Sequence, residues 1–150
     1  MAGFRAGDVL ATHLFNAMGA VSHDALIRLV AGYLPERLVF ITDAISATGV
    51  GDGDYTLGDQ PIVVRDGHAR LAGLHNLAGS TLTMDRAVRR AVADLGLPIE
   101  VAAAAASTNP ARLLGIDDRC GAIAVGLDAD LVLLDDDLQV RRVMVGGAWL

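Results

Sequence analysis

Asp43 stands where an apolar run stops. Leu38 to Ile41 lead into Thr42 and Asp43, and small residues follow up to Gly49. In parallel α/β folds the functional groups sit at the carboxyl ends of strands. A carboxylate there can ligate a metal or act as general base for a metal-bound water. It can equally cap the turn that follows, and position alone divides the two readings about evenly. His13, in the stretch THLFNAM, also follows a short apolar run. A neutral imidazole at a strand end is a common ligand of Zn²⁺ or Fe²⁺, although an isolated histidine is more often structural. Asn16 and Ala17 share its exit loop, where an amide and a backbone group could hold a polar ligand. A third stretch, Asn76 to Met84, places Gly79 between small residues and leads toward a helix. Such a loop brings backbone N–H groups close to a ligand, or simply supplies Ser80 or Thr83 as a helix cap.

The elements that must position these residues read as follows. HDALIRLVAGYLPER carries Leu26, Ile27, Val30 and Leu34 at helical spacing, with Asp24 as a candidate cap and Pro35 just beyond. RLVFIT is a continuous apolar run, the pattern of a strand buried on both faces, and DVLATHL reads as a shorter strand or its exit. A helix followed by such a strand predicts an α/β unit and a parallel sheet. PIVVR, the Asp66-Gly67 turn and HARLA predict a hairpin. A helix is expected from about Asp85 to Leu95, stopped by Gly96 and Pro98. IEVAAAAAST predicts another, and NPARLLG a third, capped by Asn109 and stopped by Gly115. The tail alternates short strands with Gly and Asp turns, an antiparallel β element.

Composition narrows the function classes. The chain has 150 residues, 53% of them hydrophobic, and a net charge of −6. All twelve basic residues are Arg. An acidic, aromatic-poor chain argues against nucleic-acid binding. No run of about 18 uninterrupted apolar residues marks a membrane span, and the N-terminus lacks the long apolar segment of a signal peptide. Cys120 is the single cysteine, which rules out an internal disulfide and fits a reducing cytoplasm. His23, His68 and His75 carry no clear signal, and no CxxC, HExxH, GxSxG or Walker-type pattern occurs.

Taken in order, THLFNAM, LVFITDAISATG, LAGSTLTM and NPARLLGI followed by GAIAVGLDADLVLLD resemble the C-terminal half of the N-acetylglucosamine-6-phosphate deacetylases, metal-dependent enzymes of the amidohydrolase superfamily. The resemblance runs from about Asp8 onward. The first three motifs together are the specific ones; the last two recur across the superfamily. The resemblance implies an α/β fold: the C-terminal half of a TIM-type (β/α) barrel, residues 1–118 with a β-hairpin insertion at about 54–72, and C-terminal strands of a small β-domain, residues 119–150. It implies hydrolysis of the N-acetyl group of N-acetylglucosamine 6-phosphate to glucosamine 6-phosphate and acetate. His13 matches a ligand of a divalent metal, Zn or Fe. Asp43 matches the catalytic carboxylate, which takes a proton from the metal-bound water and passes it to the leaving amine. Asn16, Ala17, Leu77, Ala78 and Gly79 match substrate-contacting positions.

The chain also departs from the family pattern. A full barrel takes about 250 residues. Met1 to Thr12 holds no Glu or His to join His13 on a metal, and a catalytic Zn²⁺ usually has about three protein ligands. The segment after THLFNAM is short: it lacks the substrate-binding Arg of an HHR-like stretch and a DG-x-H strand end, and the DGH at Asp66 to His68 comes after Asp43. The expected partners are a small amino-sugar phosphate and a second copy or complementing chain. The alternative is a truncated, non-catalytic remnant.

Overall fold

The computed structural model describes residues 23–74 and 76–150. The elements run α1 (His23–Tyr33), a 3₁₀ turn (Pro35–Arg37), β1 (Gly53–Leu57), β2 (Gln60–Arg65), β3 (His68–Leu71), α2 (Met84–Ala93), α3 (Ile99–Ala103), a π-helical turn (Ala104–Thr108), α4 (Asn109–Leu114), β4 (Leu131–Leu134), β5 (Val140–Val145) and β6 (Ala148–Trp149). The architecture is mixed helix and sheet, with two antiparallel three-stranded meanders, β1-β2-β3 and β4-β5-β6. Among the described residues no helix is long and apolar enough to cross a membrane.

The β2–β3 hairpin forms where its turn residues call for it. Arg65 pairs with His68 across Asp66 and Gly67, which both take positive φ, 51° and 71°. That is the backbone a two-residue turn needs to match strand twist. Asp52 locks the turn: its carboxylate accepts from the N–H of Asp66 at 2.7 Å and of Gly67 at 3.1 Å. These two bonds, Gly67's first, hold the Asp52 carboxyl below the usual carboxylate range.

Two apolar clusters divide the molecule. One lies under the first meander and joins Ala47, Ile62, Val64, Ala69 and Ala78, with Ile45, Tyr55 and Leu71 against it. The other lies among the helices, where Ala31, Ala91, Leu97 and Ala102 meet Leu38, Phe40 and Val101. The segment after the 3₁₀ turn crosses from one to the other: Leu38 and Phe40 serve the helical cluster, Ile45 and Ala47 the sheet cluster. Arg89 ties α2 to the second meander, donating to the Leu138 carbonyl at 3.0 Å and to Gln139 at 3.1 Å while pairing with Asp85 at 3.2 Å.

Two expectations are corrected. Among the described residues the run from Leu38 to Thr42 forms no strand, and it is not buried on both faces: Leu38, Val39 and Phe40 are half-buried and Ile41 is 62% exposed. An extended run becomes a strand only when neighbours take its N–H and C=O groups. Among the described residues its continuation makes one isolated parallel bridge, Ala44 to Ser80. The second correction concerns Asn109. It does not cap a separate helix, because Thr108 and Asn109 both keep right-handed helical dihedrals and α3 passes through the π-helical turn into α4 without a break. Its side chain has a long-range task instead. Asn109 is 4% exposed, and its Nδ2 donates to the carbonyls of Pro35 and Leu38, both at 2.8 Å. These bonds, with the Phe40 N–H to Ala105 carbonyl bond at 2.9 Å, fasten the crossing segment to the helix behind it. Gly115 stops α4 in the left-handed conformation, φ 68°, as its sequence position requires.

Replacing Asn109 with Ala leaves two carbonyls without their donor. The expected loss is about 2–4 kcal/mol, read by denaturant unfolding; a loss under about 0.5 kcal/mol, the scale of an ordinary surface substitution, would contradict the fastening role.

Candidate functional site

Asp43 ends the crossing segment and is exposed. Its φ is +52°, a left-handed conformation that few residues other than Gly adopt, although Asp tolerates it better than most. Such backbone persists where the surroundings over-determine it. Here the determinant is a second segment, Gly79 to Leu82, lying parallel to Thr42 through Ile45.

The contact is atomic in its fit. The Ser80 N–H donates to the Asp43 carbonyl at 2.7 Å, and the Ile45 N–H donates to the Ser80 carbonyl at 2.9 Å. The Ser80 hydroxyl donates to the Thr42 carbonyl and accepts from the Leu82 N–H at 3.0 Å. Thr48 adds a hydroxyl bond to the Ser80 carbonyl at 3.3 Å. Gly79 makes the approach close enough. It has φ +68°, and a Cβ built on it would sit 2.5 Å from Ile45 Cγ2 and 2.9 Å from the Asp43 carbonyl oxygen. Only a residue without Cβ fits there.

The loop before Gly79 is tied to the first meander. Leu77 bridges antiparallel to Arg70, and the Ala78 N–H donates to the Ala69 carbonyl at 3.0 Å. Ala78 is buried in the sheet cluster, while the Leu77 side chain is 66% exposed beside the site. The Thr81 hydroxyl donates to the Gly67 carbonyl, which anchors the loop to the hairpin turn. Sheet, loop and Asp43 therefore form one connected body.

Of the residues singled out from sequence, the structure brings together Asp43 and Gly79, with Leu77 and Ala78 on the approach. His13, Asn16, Ala17 and His75 lie outside the described residues. Among the described residues no group of three or more His, Cys, Asp or Glu side chains could hold a metal ion. The carboxylate of Asp43 is one donor, so the described residues by themselves do not fit a divalent ion. A cleft of about 330 Å³ opens under Leu38 to Ile41, between α1 and α2; it is largely apolar, with Asp24, Arg90 and Asp94 at its wall, and does not include Asp43. Ser80 is the residue that sequence reasoning undervalued. It read as a possible helix cap, and nothing local marks its bonds to residues some 38 positions away.

The amidohydrolase family model matches residues 12–150. The chain belongs to the amidohydrolase family. Members of that family are generally divalent-metal-dependent hydrolases. The chain is 43% identical over 131 residues to the N-acetylglucosamine-6-phosphate deacetylase of Danio rerio, a match covering 87% of this chain and 32% of the relative. It is 40% identical over 125 residues to a putative N-acetylgalactosamine-6-phosphate deacetylase of Escherichia coli K12, covering 83% of this chain and 74% of the relative. Among solved structures it superposes with a TM-score of 0.78, at 46% identity, on an aspartate-to-alanine mutant of the Mycobacterium smegmatis N-acetyl-D-glucosamine-6-phosphate deacetylase in complex with N-acetyl-D-glucosamine-6-phosphate; that match covers 87% of this chain and 35% of the other. The chain spans about a third of the length of the animal relative and of that solved structure.

Replacing Gly79 with Ala forces a Cβ against Ile45 and the Asp43 carbonyl in a left-handed backbone. The expected destabilisation is about 1–3 kcal/mol or more, measured by thermal or denaturant unfolding. Unchanged stability would mean that the two segments do not meet as described.

Proposed function

We propose that this amidohydrolase removes the N-acetyl group of N-acetylglucosamine 6-phosphate, giving glucosamine 6-phosphate and acetate. The observation that carries the reading is Asp43 held in a left-handed backbone at the end of the crossing segment, by a loop that belongs to the LAGST motif. The names of the relatives support the substrate class.

In this reading the Asp43 carboxylate takes a proton from the attacking water. The water oxygen bonds to the acetyl carbon, and the amide C–N bond breaks as Asp43 returns the proton to the sugar nitrogen. Water and amide are consumed, and acetate and amine are produced, so the carboxylate ends as it began. Leu77, Ala78 and Gly79 flank the sugar, and Asn16 and Ala17 are further contacts to it. The Ala78 N–H is already committed to the Ala69 carbonyl, so it does not donate to the sugar. His13 is proposed as one ligand of a divalent ion, Zn or Fe. Its other ligands would come from beyond the described residues, and the ion would make the attacking water more acidic.

The same reading takes residues 1–118 as the C-terminal half of a TIM-type barrel with a hairpin insertion, and residues 119–150 as strands of a small β-domain. The active assembly would be a homo-oligomer, or this chain with a complementing chain, in the cytoplasm. Two alternatives have specific support. The Escherichia coli relative is named for the galacto epimer, so N-acetylgalactosamine 6-phosphate is the competing substrate. The chain's span of about a third of the animal relative keeps open a non-catalytic remnant.

The test is acetate release by the full-length protein from both amino-sugar phosphates, beside Asp43→Asn. Asp43→Asn should lower kcat by at least about 100-fold and leave substrate binding within about twofold. Full activity in the variant would overturn the role of Asp43. No turnover of either sugar by the wild type, with a divalent metal supplied, would favour the remnant.

A further inference from the structure

We propose that Ser80 is a positioning residue for Asp43, fixing the direction in which the carboxylate leaves the backbone. The inference rests on the deacetylase reading and adds to it a residue that does not touch substrate. Three observations carry it. First, each polar group of Ser80 is bonded, and most of these bonds go to the segment that carries Asp43. Its N–H reaches the Asp43 carbonyl at 2.7 Å, its hydroxyl reaches the Thr42 carbonyl, and its carbonyl accepts the Ile45 N–H at 2.9 Å and the Thr48 hydroxyl at 3.3 Å. Second, the bonds fall on both peptide planes that flank Asp43, at the Thr42 carbonyl before it and at the Asp43 carbonyl after it. The two peptide planes flanking Asp43 are thereby fixed, and with them its φ of +52°. The Cα–Cβ direction of Asp43 follows from those planes. Third, Ser80 is anchored independently. Its hydroxyl accepts from the Leu82 N–H at 3.0 Å, and the Ala78 N–H two residues before it donates to the Ala69 carbonyl of the first meander at 3.0 Å. The clamp therefore refers the carboxylate to the first meander rather than to a free loop.

The hydroxyl is the part of this device that side-chain substitution can remove. Without it, the Thr42 carbonyl loses its donor and the Leu82 N–H its acceptor, while the backbone bonds to Asp43 and Ile45 stay. The Thr42–Asp43 peptide can then rotate, and the carboxylate samples directions that miss the attacking water. A displacement of about 1 Å at a reacting group can cost about 100-fold in rate. Substrate contacts made by the Leu77 to Gly79 backbone are not altered.

The experiment measures kcat and KM for amino-sugar phosphate deacetylation by the full-length protein, in the wild type, Ser80→Ala, Ser80→Thr, Thr81→Val and Asp43→Asn. Ser80→Ala should lose about tenfold to 100-fold in kcat with KM within about twofold. Ser80→Thr keeps the hydroxyl and should recover most of that loss. Thr81→Val removes a hydroxyl bond from the same loop that does not reach the Asp43 segment, and its kcat should stay within about twofold of wild type. If Ser80→Ala does not fold, Ser80→Cys, with a similar volume and a weaker donor, takes its place and should show a smaller kcat loss of the same kind. Wild-type kcat in Ser80→Ala or Ser80→Cys, or equal losses in Ser80→Ala and Thr81→Val, would overturn the proposal while the deacetylase reading stands. An inactive wild type, or an active Asp43→Asn, would overturn the reading itself.

Discussion

A glycine facing a carbonyl is the constraint on which this site depends. The Asp43 carbonyl and the space a Cβ would take on Gly79 are 2.9 Å apart, so the two segments can approach only while position 79 has no side chain. That approach lets the Ser80 N–H bond the Asp43 carbonyl, and the bond, with those on either side of it, holds Asp43 in a conformation that it would seldom adopt alone. A network of this kind is rigid when its members are bonded. Among the described residues no buried side-chain polar atom lacks a hydrogen-bond partner.

The clamp would be of little use on a mobile segment, and the two apolar clusters prevent that. Leu38 and Phe40 are held among the helices, Ile45 and Ala47 under the first meander, and Asp43 lies between the two anchor points. Asn109 adds polar ties to Pro35 and Leu38 from the helix behind. The path from sequence to chemistry therefore runs through burial first. Small residues in both clusters, Ala47, Ala78, Ala91 and Ala102, allow the close packing that sets where the carboxylate stands.

The parts of the fold that follow local rules were legible in the sequence. Asp66-Gly67 specified the hairpin turn, Gly96 and Gly115 the ends of helices, and the Gly and Asp turns of the tail its antiparallel strands. Asp43 was legible as a candidate because an apolar run ends on it. What could not be read was non-local. Asn109 before a proline has the form of a helix cap, yet its amide serves carbonyls 71 and 74 residues away. LVFIT has the composition of a central strand, but composition does not supply the neighbour that makes a ladder. Ser80 in a Gly-Ser-Thr stretch looks like an ordinary cap or loop residue, because its partners near Asp43 are distant in sequence. His13, Asn16 and Ala17 lie outside the described residues and rest on sequence position and family resemblance.

The most direct test of the account is a crystal structure of the full-length protein bound to the amino-sugar phosphate, read for the distance from the Asp43 carboxylate to the sugar amide. A carboxylate oxygen is expected within about 3 Å of the amide nitrogen, or one water removed from the acetyl carbon, with Gly79 against the sugar. An amide bound more than two water layers from Asp43, or on the far side of the Gly79 loop, would contradict it.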